Sequence, residues 1–352
     1  MRGKGARFKG STWGALFVLA ASVLWGTTGT AATFAPEVSP LAIGAVAMGL
    51  GGLLQAAIAA RPIIAFSTSL RGQWATVALG SLAVATYPLA FYTSMHLAGV
   101  AIGTVVSIGS APLGSAVIER IADNRSFTGR WAIGATMGLA GAALLCFAEA
   151  GHADPGSAAG SGWSTSAGIG LGLIAGITYA LYSWAAHRLI NAGTPSSAVM
   201  GAVFGLGGLL LMPVLVLTGG PLLTSWQNLA VGGYMAIVPM FVGYVLFGWG
   251  LARVRASTAT TISLTETVVA AILAVVIVGE RLPVLAWLGA ALVAGSLFVL
   301  TLPVSANRPA ARANSRPITS SQPMNPSPTP ASPAAADAPA EAATVDPASL
   351  RS

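Results

Sequence analysis

The chain has 352 residues, of which 55% are hydrophobic and 8% charged, and its mean hydropathy is +0.76. Soluble domains carry about a quarter charged residues, so this composition cannot cover a water-soluble fold of this size, and lipid is the expected solvent. The net charge of +7 is not a nucleic-acid footprint, because the basic residues stand singly or in small groups between apolar runs, not along one face among aromatics.

Arg2, Lys4, Arg7 and Lys9 precede an apolar run from Trp13. That order is shared with signal peptides, but more hydrophobic segments follow, so the run reads as an uncleaved first span. Crossing a bilayer takes roughly 20 apolar residues. By that criterion spans are expected at 13–34, 41–60, 75–96, 100–118, 131–150, 167–186, 198–217, 229–251, 256–278 and 282–302. Lipid-facing backbone must pair within its own segment, which helices achieve, and no alternation suited to a barrel is present. The expected fold is an all-α membrane protein, with ten transmembrane helices as two inverted five-helix repeats. Residues 1–12 form a cytoplasmic N-terminus, 13–150 the first repeat, 151–166 a Gly/Ser/Ala-rich external linker and 167–303 the second repeat. Residues 304–352 are rich in Pro, Ala and Ser and read as a disordered cytoplasmic tail.

The basic residues give the orientation, since cytoplasmic loops collect Lys and Arg. With the N-terminus inside, the inner segments hold Arg61, Arg71, Arg120, Arg125, Arg130, Arg188, Arg253 and Arg255 as well as those of both tails, and of the 17 basic residues only Arg281 falls outside. Both termini are expected in the cytoplasm, and the membrane is expected to be the cytoplasmic one.

Laid without gaps, 98–134 covers 253–289, with Pro112 on Thr267 and Gly134 on Gly289. Residues 21–26 (ASVLWG) similarly match 175–180 (AGITYA), which sets Trp25 on Tyr179. Identity is poor, but the order of turns and small-residue spans is shared. Five crossings per half would make the halves enter from opposite sides, an arrangement common in secondary transporters.

Several runs add to this: Leu24-Trp25-Gly26, the stretch GYVLFGWGLA at 243–252, Ala256-Ser257, and Gly279-Glu280-Arg281-Leu282. Gly109-Ser110-Ala111-Pro112 is followed by Glu119-Arg120. On these residues the chain, over roughly 13 to 302, resembles the drug/metabolite transporter superfamily in its EamA-type branch. The resemblance implies two five-helix repeats and the export or uptake of small metabolites or drugs; the function expected is a secondary transporter of small metabolites, amino-acid-like solutes or drugs, with export the preferred direction. Where many members have Glu-Pro in the ninth span, this chain has Glu266-Thr267, which puts a proline kink there in doubt.

Glu266 lies ten residues past Ala256, roughly 15 Å deep at helical rise. An ionisable residue at that depth is costly and marks a pathway, a relay or a binding site. It reads as the group that binds a proton or a cationic moiety and couples it to transport, or else as a structural carboxyl bonded to Ser263, Thr265 or Thr267. Trp25, Thr28, Tyr87, Tyr92, Tyr179, Tyr182 and Tyr244 read as lining a central cavity or as packing aromatics. Glu119 and Arg120, with Arg125 or Asp123 as partners, read as a gate lock or as a solvated end-cap; Glu280 and Arg281 read the same way. Pro88 and Pro112 are expected to bend the third and fourth spans.

Gly168-Gly172-Gly176, Gly201-Gly205 and Gly134-Gly138 have the spacing of close helix packing. The lone Cys146 and the scattered His96, His152 and His187 offer no metal-ligand spacing, and the glycines at 205–208 lack a phosphate-loop lysine. No cofactor, metal or enzymatic activity is expected. The expected partners are a small-molecule substrate, the bilayer and protons. A non-transporting scaffold or receptor, a channel, and a lipid enzyme are the alternatives; the enzyme would need a second acid or a nucleophile beside Glu266.

Overall fold

The structure, a computed structural model, describes residues 3–98, 100–150, 162–278 and 283–301. Glu280, Arg281, His152, most of the linker and the C-terminal tail lie outside the described residues, as does the side chain of Cys146.

Every element among the described residues is helical. We number the long helices α1 (Thr12–Thr33), α2 (Pro40–Ile58), α3 (Trp74–Ala98), α4 (Val100–Ala122) and α5 (Gly129–Ala150) in the first half. In the second half they are α6 (Gly162–Asn191), α7 (Ser196–Thr218), α8 (Trp226–Leu251), α9 (Ala256–Ile277) and α10 (Val284–Thr301). Eight of the described helices are long and apolar enough to cross a membrane, and Val284–Leu300 is a shorter apolar one. The chain is therefore a multi-pass membrane protein. Helices run past several expected limits: α4 continues to Ala122, and α6 spans 30 residues where 20 were expected. A polar side chain at a helix end does not stop the helix when its backbone bonds can continue.

Ends are set by local chemistry. Ser39 caps α2 by accepting from Ala42 N (3.2 Å) with Pro40 following, and Ser225 caps α8 by accepting from Asn228 N (3.1 Å). The chain leaves α6 through Gly193 at φ 98°, a left-handed turn that glycine adopts without steric penalty.

Pro88 and Pro112 do not break their helices, which remain continuous around them. The irregular backbone lies elsewhere. α1 turns at Thr27, α2 widens into a π-helical stretch at Ala45–Leu50, and α8 does so at Ala236–Val242 around Pro239. α9 is interrupted at Ser263 and Leu264. Such breaks at membrane depth persist only where protein or a cavity surrounds them.

Helix neighbours repeat between the halves. α1 packs on α8 and α9, as α6 packs on α3 and α4; α3 meets α7, as α8 meets α2. The pairs α2–α7, α4–α9 and α5–α10 map onto themselves. One contact shows the repeat at residue level. Gly26 of α1 is pressed against Val269 of α9, and Gly114 of α4 against Ala180 of α6. The step that carries Trp25 to Tyr179 carries Gly26 to Ala180, and the step that carries Pro112 to Thr267 carries Gly114 to Val269. The same crossing recurs with the glycine on the opposite partner.

All three glycine ladders lie at crossings: Gly168, Gly172 and Gly176 against α3 and α4, Gly201 and Gly205 against α2, and Gly134 and Gly138 against α10. The tightest approach of backbone to backbone is α2 on α7, where a Cβ on Gly52 would overlap the Phe204 carbonyl. Lipid provides no hydrophobic drive between helices, so this close packing is what holds them together.

Candidate functional site: an acid and an aromatic cluster at a broken helix

The interruption of α9 comes immediately before Glu266. Its first segment, Ala256–Ile262, ends in tight bonds from Leu264 N to Thr261 O (3.3 Å) and from Glu266 N to Ser263 O (3.0 Å). The helix restarts at Thr265, which puts Glu266 in the first turn of the second segment, where a helix dipole favours a negative group. Gly26 of α1 lies against the Glu266 carbonyl, so the two breaks, at Thr27 and at Ser263, are side by side.

Around this point stands a continuous group of rings from five helices, with Phe204 of α7 4.4 Å from Tyr244 and 5.5 Å from Tyr182. Trp25 (α1) lies 4.8 Å from Tyr244 and 5.2 Å from Phe247 (both α8), and 6.4 Å from Tyr179 (α6), centroid to centroid. Tyr179 is 5.6 Å from Tyr87 (α3) and 5.2 Å from Tyr182 (α6). Hydrogen bonds fix the orientation of these rings. Trp25 Nε1 donates to the carbonyl of Pro239 (3.0 Å), which lies within the widened part of α8. Tyr179 Oη donates to Ser263 Oγ (2.8 Å), at the break of α9, and Ser263 Oγ donates to Thr260 O (2.8 Å). Tyr182 and Tyr244 share a bond of 2.8 Å between their hydroxyls. Each of these polar tips is thus satisfied, as a buried phenol or indole requires.

Glu266 differs. Its side chain is half-buried near Tyr87, Tyr92, Tyr179 and Tyr244, but it has no hydrogen bond or ion pair among the described residues. The Ser263 and Thr267 hydroxyls donate to backbone carbonyls of α9 instead, Thr267 to Leu264 O at 2.7 Å. The bonded structural carboxyl expected as an alternative therefore has no partner in this conformation. Tyr87 and Tyr92 are also only half-buried. An unbonded carboxyl beside π faces and phenols can hold a cationic group through charge and cation–π attraction, or a proton. Thr28 donates to Trp25 O (2.7 Å).

The second set of candidates lies at the end of the molecule that carries Arg120, Arg125, Arg130, Arg188, Arg253 and Arg255. Glu119 is 4% exposed, so the solvated end-cap does not hold. Nor does it pair with Arg125. Its Oε1 accepts from Ser257 N (3.0 Å) and its Oε2 from Ser257 Oγ (2.8 Å), joining α4 to the start of α9. Asp123 pairs with Arg188 of α6 (2.8 Å) and accepts from Trp184 Nε1 (2.9 Å). His187 bonds the Leu251 carbonyl (2.7 Å) and is half-buried rather than at the surface. Arg120 is exposed. The pattern missed Ser257, Trp184, Phe204 and Phe247. Ser257 carried a partial signal, as the second residue of a helix whose cap residue, Arg255, makes no side-chain cap bond.

Two clefts complete the geometry. One, of about 490 Å³, is apolar and lies between the end of α1, the start of α8 and the end of α9, lined by Thr30, Phe34, Gln227, Tyr234, Leu273 and Ile277 among others. Leu273 and Ile277 lie on nearly the same face of α9 as Glu266. The other, of about 420 Å³, lies between α3, α4 and α6 at the arginine-rich end, with Glu119, Asp123, Arg125, His187 and Arg188 in its wall.

Comparison with known proteins gives three findings. A model of the EamA-like transporter family matches residues 12–147 and 166–302. The chain is 32% identical over 289 residues to the uncharacterized transporter YwfM of Bacillus subtilis (strain 168), across 81% of this chain and 93% of that protein. A protein crystal structure with 20% identity superposes with a TM-score of 0.64 over 81% of this chain and 95% of that one, which shows a shared fold.

Proposed function

The chain belongs to the EamA-like transporter family and is a membrane transporter, and from that membership we propose that it exports small organic solutes across the cytoplasmic membrane by alternating access. The solutes are metabolites, amino-acid-like compounds or drugs, and those with a cationic or amine group fit the site best. Ten crossings, with 13–150 and 167–303 as inverted halves, account for the repeated helix neighbours and for the clustering of basic residues. Both termini then lie in the cytoplasm.

The observation that carries this reading is Glu266, a carboxyl deep in an apolar helix, at a helix break and among aromatic rings, with no side-chain bond among the described residues. Such a group binds either a proton or the cationic part of a solute. Because the two exclude each other, an inward proton gradient drives solute outward, and the carrier is an antiporter. Trp25, Tyr87, Tyr179 and Tyr244 supply the walls, and hydrogen bonds already made within the protein hold three of them in place.

Counterflow in proteoliposomes tests the proposal, with a panel of labelled amino acids, amines and cationic dyes and with an imposed pH gradient. Glu266→Gln is expected to lower gradient-driven transport roughly 10- to 100-fold, the effect of one lost charge-assisted contact. Wild-type rate and pH dependence in that variant would end the coupling role, and no counterflow of any solute by the wild-type protein would end the carrier reading.

A further inference from the structure

The two clefts occupy equivalent places in the two halves. One lies between the end of α1, the start of α8 and the end of α9; the other lies between the end of α6, the start of α3 and the end of α4. An alternating carrier would open one of these at a time, so the groups that hold each end shut decide which state is favoured. Those groups differ. The step that carries Pro112 to Thr267 carries Glu119 to Ala274 and Asp123 to Val278. The step that carries Tyr179 back to Trp25 carries Trp184 to Thr30 and Arg188 to Phe34. Glu119, Asp123 and Arg188 thus have apolar residues in register at the opposite end, and Trp184 has a threonine.

The bonds themselves cross between helices that must separate if the arginine-rich end is to open. Glu119 on α4 grips both the amide and the hydroxyl of Ser257, at the start of α9. Directly behind this contact, Ser115 and Thr260 are fully buried and joined by a 3.2 Å bond, which closes the way inward. Arg255, the cap residue of α9, makes no side-chain cap bond, so Glu119 serves as the cap of a helix in the other half. Charge-assisted bonds of this kind are about twice as strong as neutral ones. At the opposite end the crevice is apolar, and among the described residues its walls are joined by Thr27 with Tyr234 (2.7 Å) and Gln227 to the Phe34 carbonyl (2.7 Å), neither of which involves α9.

We propose that Glu119 is a positioning residue of the transport cycle, a latch that holds α9 to α4 so that the arginine-rich end stays closed while the opposite end is open. This rests on the alternating-access reading and on nothing about Glu266. Release of Ser257 by Glu119 is then the step that admits solute from the arginine-rich side. The second contact, Asp123 with Trp184 and Arg188, adds to the closure from α6.

Two reporters placed in Cys146→Ser protein test it in proteoliposomes: Ser115→Cys, buried behind the latch, and Thr30→Cys, in the wall of the opposite crevice. The rate of modification by methanethiosulfonate ethylsulfonate is read without any solute. Adding Glu119→Ala is expected to raise the rate at Ser115→Cys about fivefold or more and to lower it at Thr30→Cys, because the two ends open in exchange. A rise at both sites would show general loosening and overturn the proposal, as would unchanged rates at both. Should Glu119→Ala not fold, Glu119→Gln and Ser257→Ala, which keep the local shape, are judged by the same pair of rates. The outcome is independent of the transport test. Equal labelling ends the latch and leaves coupling untouched, whereas wild-type transport by Glu266→Gln ends coupling and leaves the latch.

Discussion

Glu266 and Glu119 are both carboxyl groups held away from bulk water, and the structure treats them in opposite ways. Glu119 has both oxygens bonded to Ser257 and is almost completely covered. Glu266 is partly open, lies near tyrosines of which Tyr179 and Tyr244 have hydroxyls bonded to other groups, and has no bond among the described residues. A buried polar group with all its partners inside the protein contributes to stability and position. One without partners costs stability and remains available to something outside the protein. On the proposed function, this difference marks Glu119 as the structural acid and Glu266 as the working one more clearly than depth in the membrane does.

That contrast can be broken most directly at Glu266. The proposed 10- to 100-fold loss of transport in Glu266→Gln should come with unchanged or slightly raised thermal stability in detergent, since an unpaired buried acid is removed. A large drop in melting temperature would place Glu266 with the structural acids. Glu119→Ala should show the reverse. It leaves the Ser257 amide and hydroxyl without acceptors, so stability should fall by about 1–3 kcal/mol, measured as a lower denaturation midpoint. Tyr179→Phe comes next. It removes the bond to Ser263 at the break of α9 and should cost about 0.5–1.5 kcal/mol, with a modest change in transport that sharpens the role of the break. The smallest effect is expected for Arg188→Ala. Its side chain is 46% exposed, and exposed ion pairs contribute about 0–1 kcal/mol; a larger loss would mean that the Asp123 contact carries more of the closure than Glu119.

Much of this was legible in the sequence, for identifiable reasons. Runs of apolar residues report helices directly, because lipid leaves the backbone no alternative. Glu266 stood out because a charge inside such a run is rare, and Trp25 and Tyr179 because they fall in register. The resemblance drawn from 24–26, 243–252 and 256–257 is confirmed by the family match. Glu119 was misjudged as solvated for an equally physical reason. Its neighbours in sequence, Arg120 and Asp123, look like a helix end in water, while the residue that buries it, Ser257, lies more than a hundred positions away. The helix breaks were no easier to read. Pro88 and Pro112 sit in continuous helices, while the breaks fell at Thr27 and Ser263, where side-chain hydroxyls bond back to the chain.

Composition and the length of its apolar runs determined that this chain lies in a membrane as helices, the overlay of its segments pointed to two related halves, and one acid stood out inside an apolar run. These are consequences of solvent, since the cost of exposing charge or unpaired backbone to lipid is felt residue by residue. Only the tertiary structure decided which polar groups satisfy one another. It assigned Tyr179 to Ser263, Trp25 to Pro239 and Glu119 to Ser257, and left Glu266 unassigned. Hydrogen bonds act over about 3 Å between groups that the chain order keeps far apart, so their pairing is a property of how the helices pack.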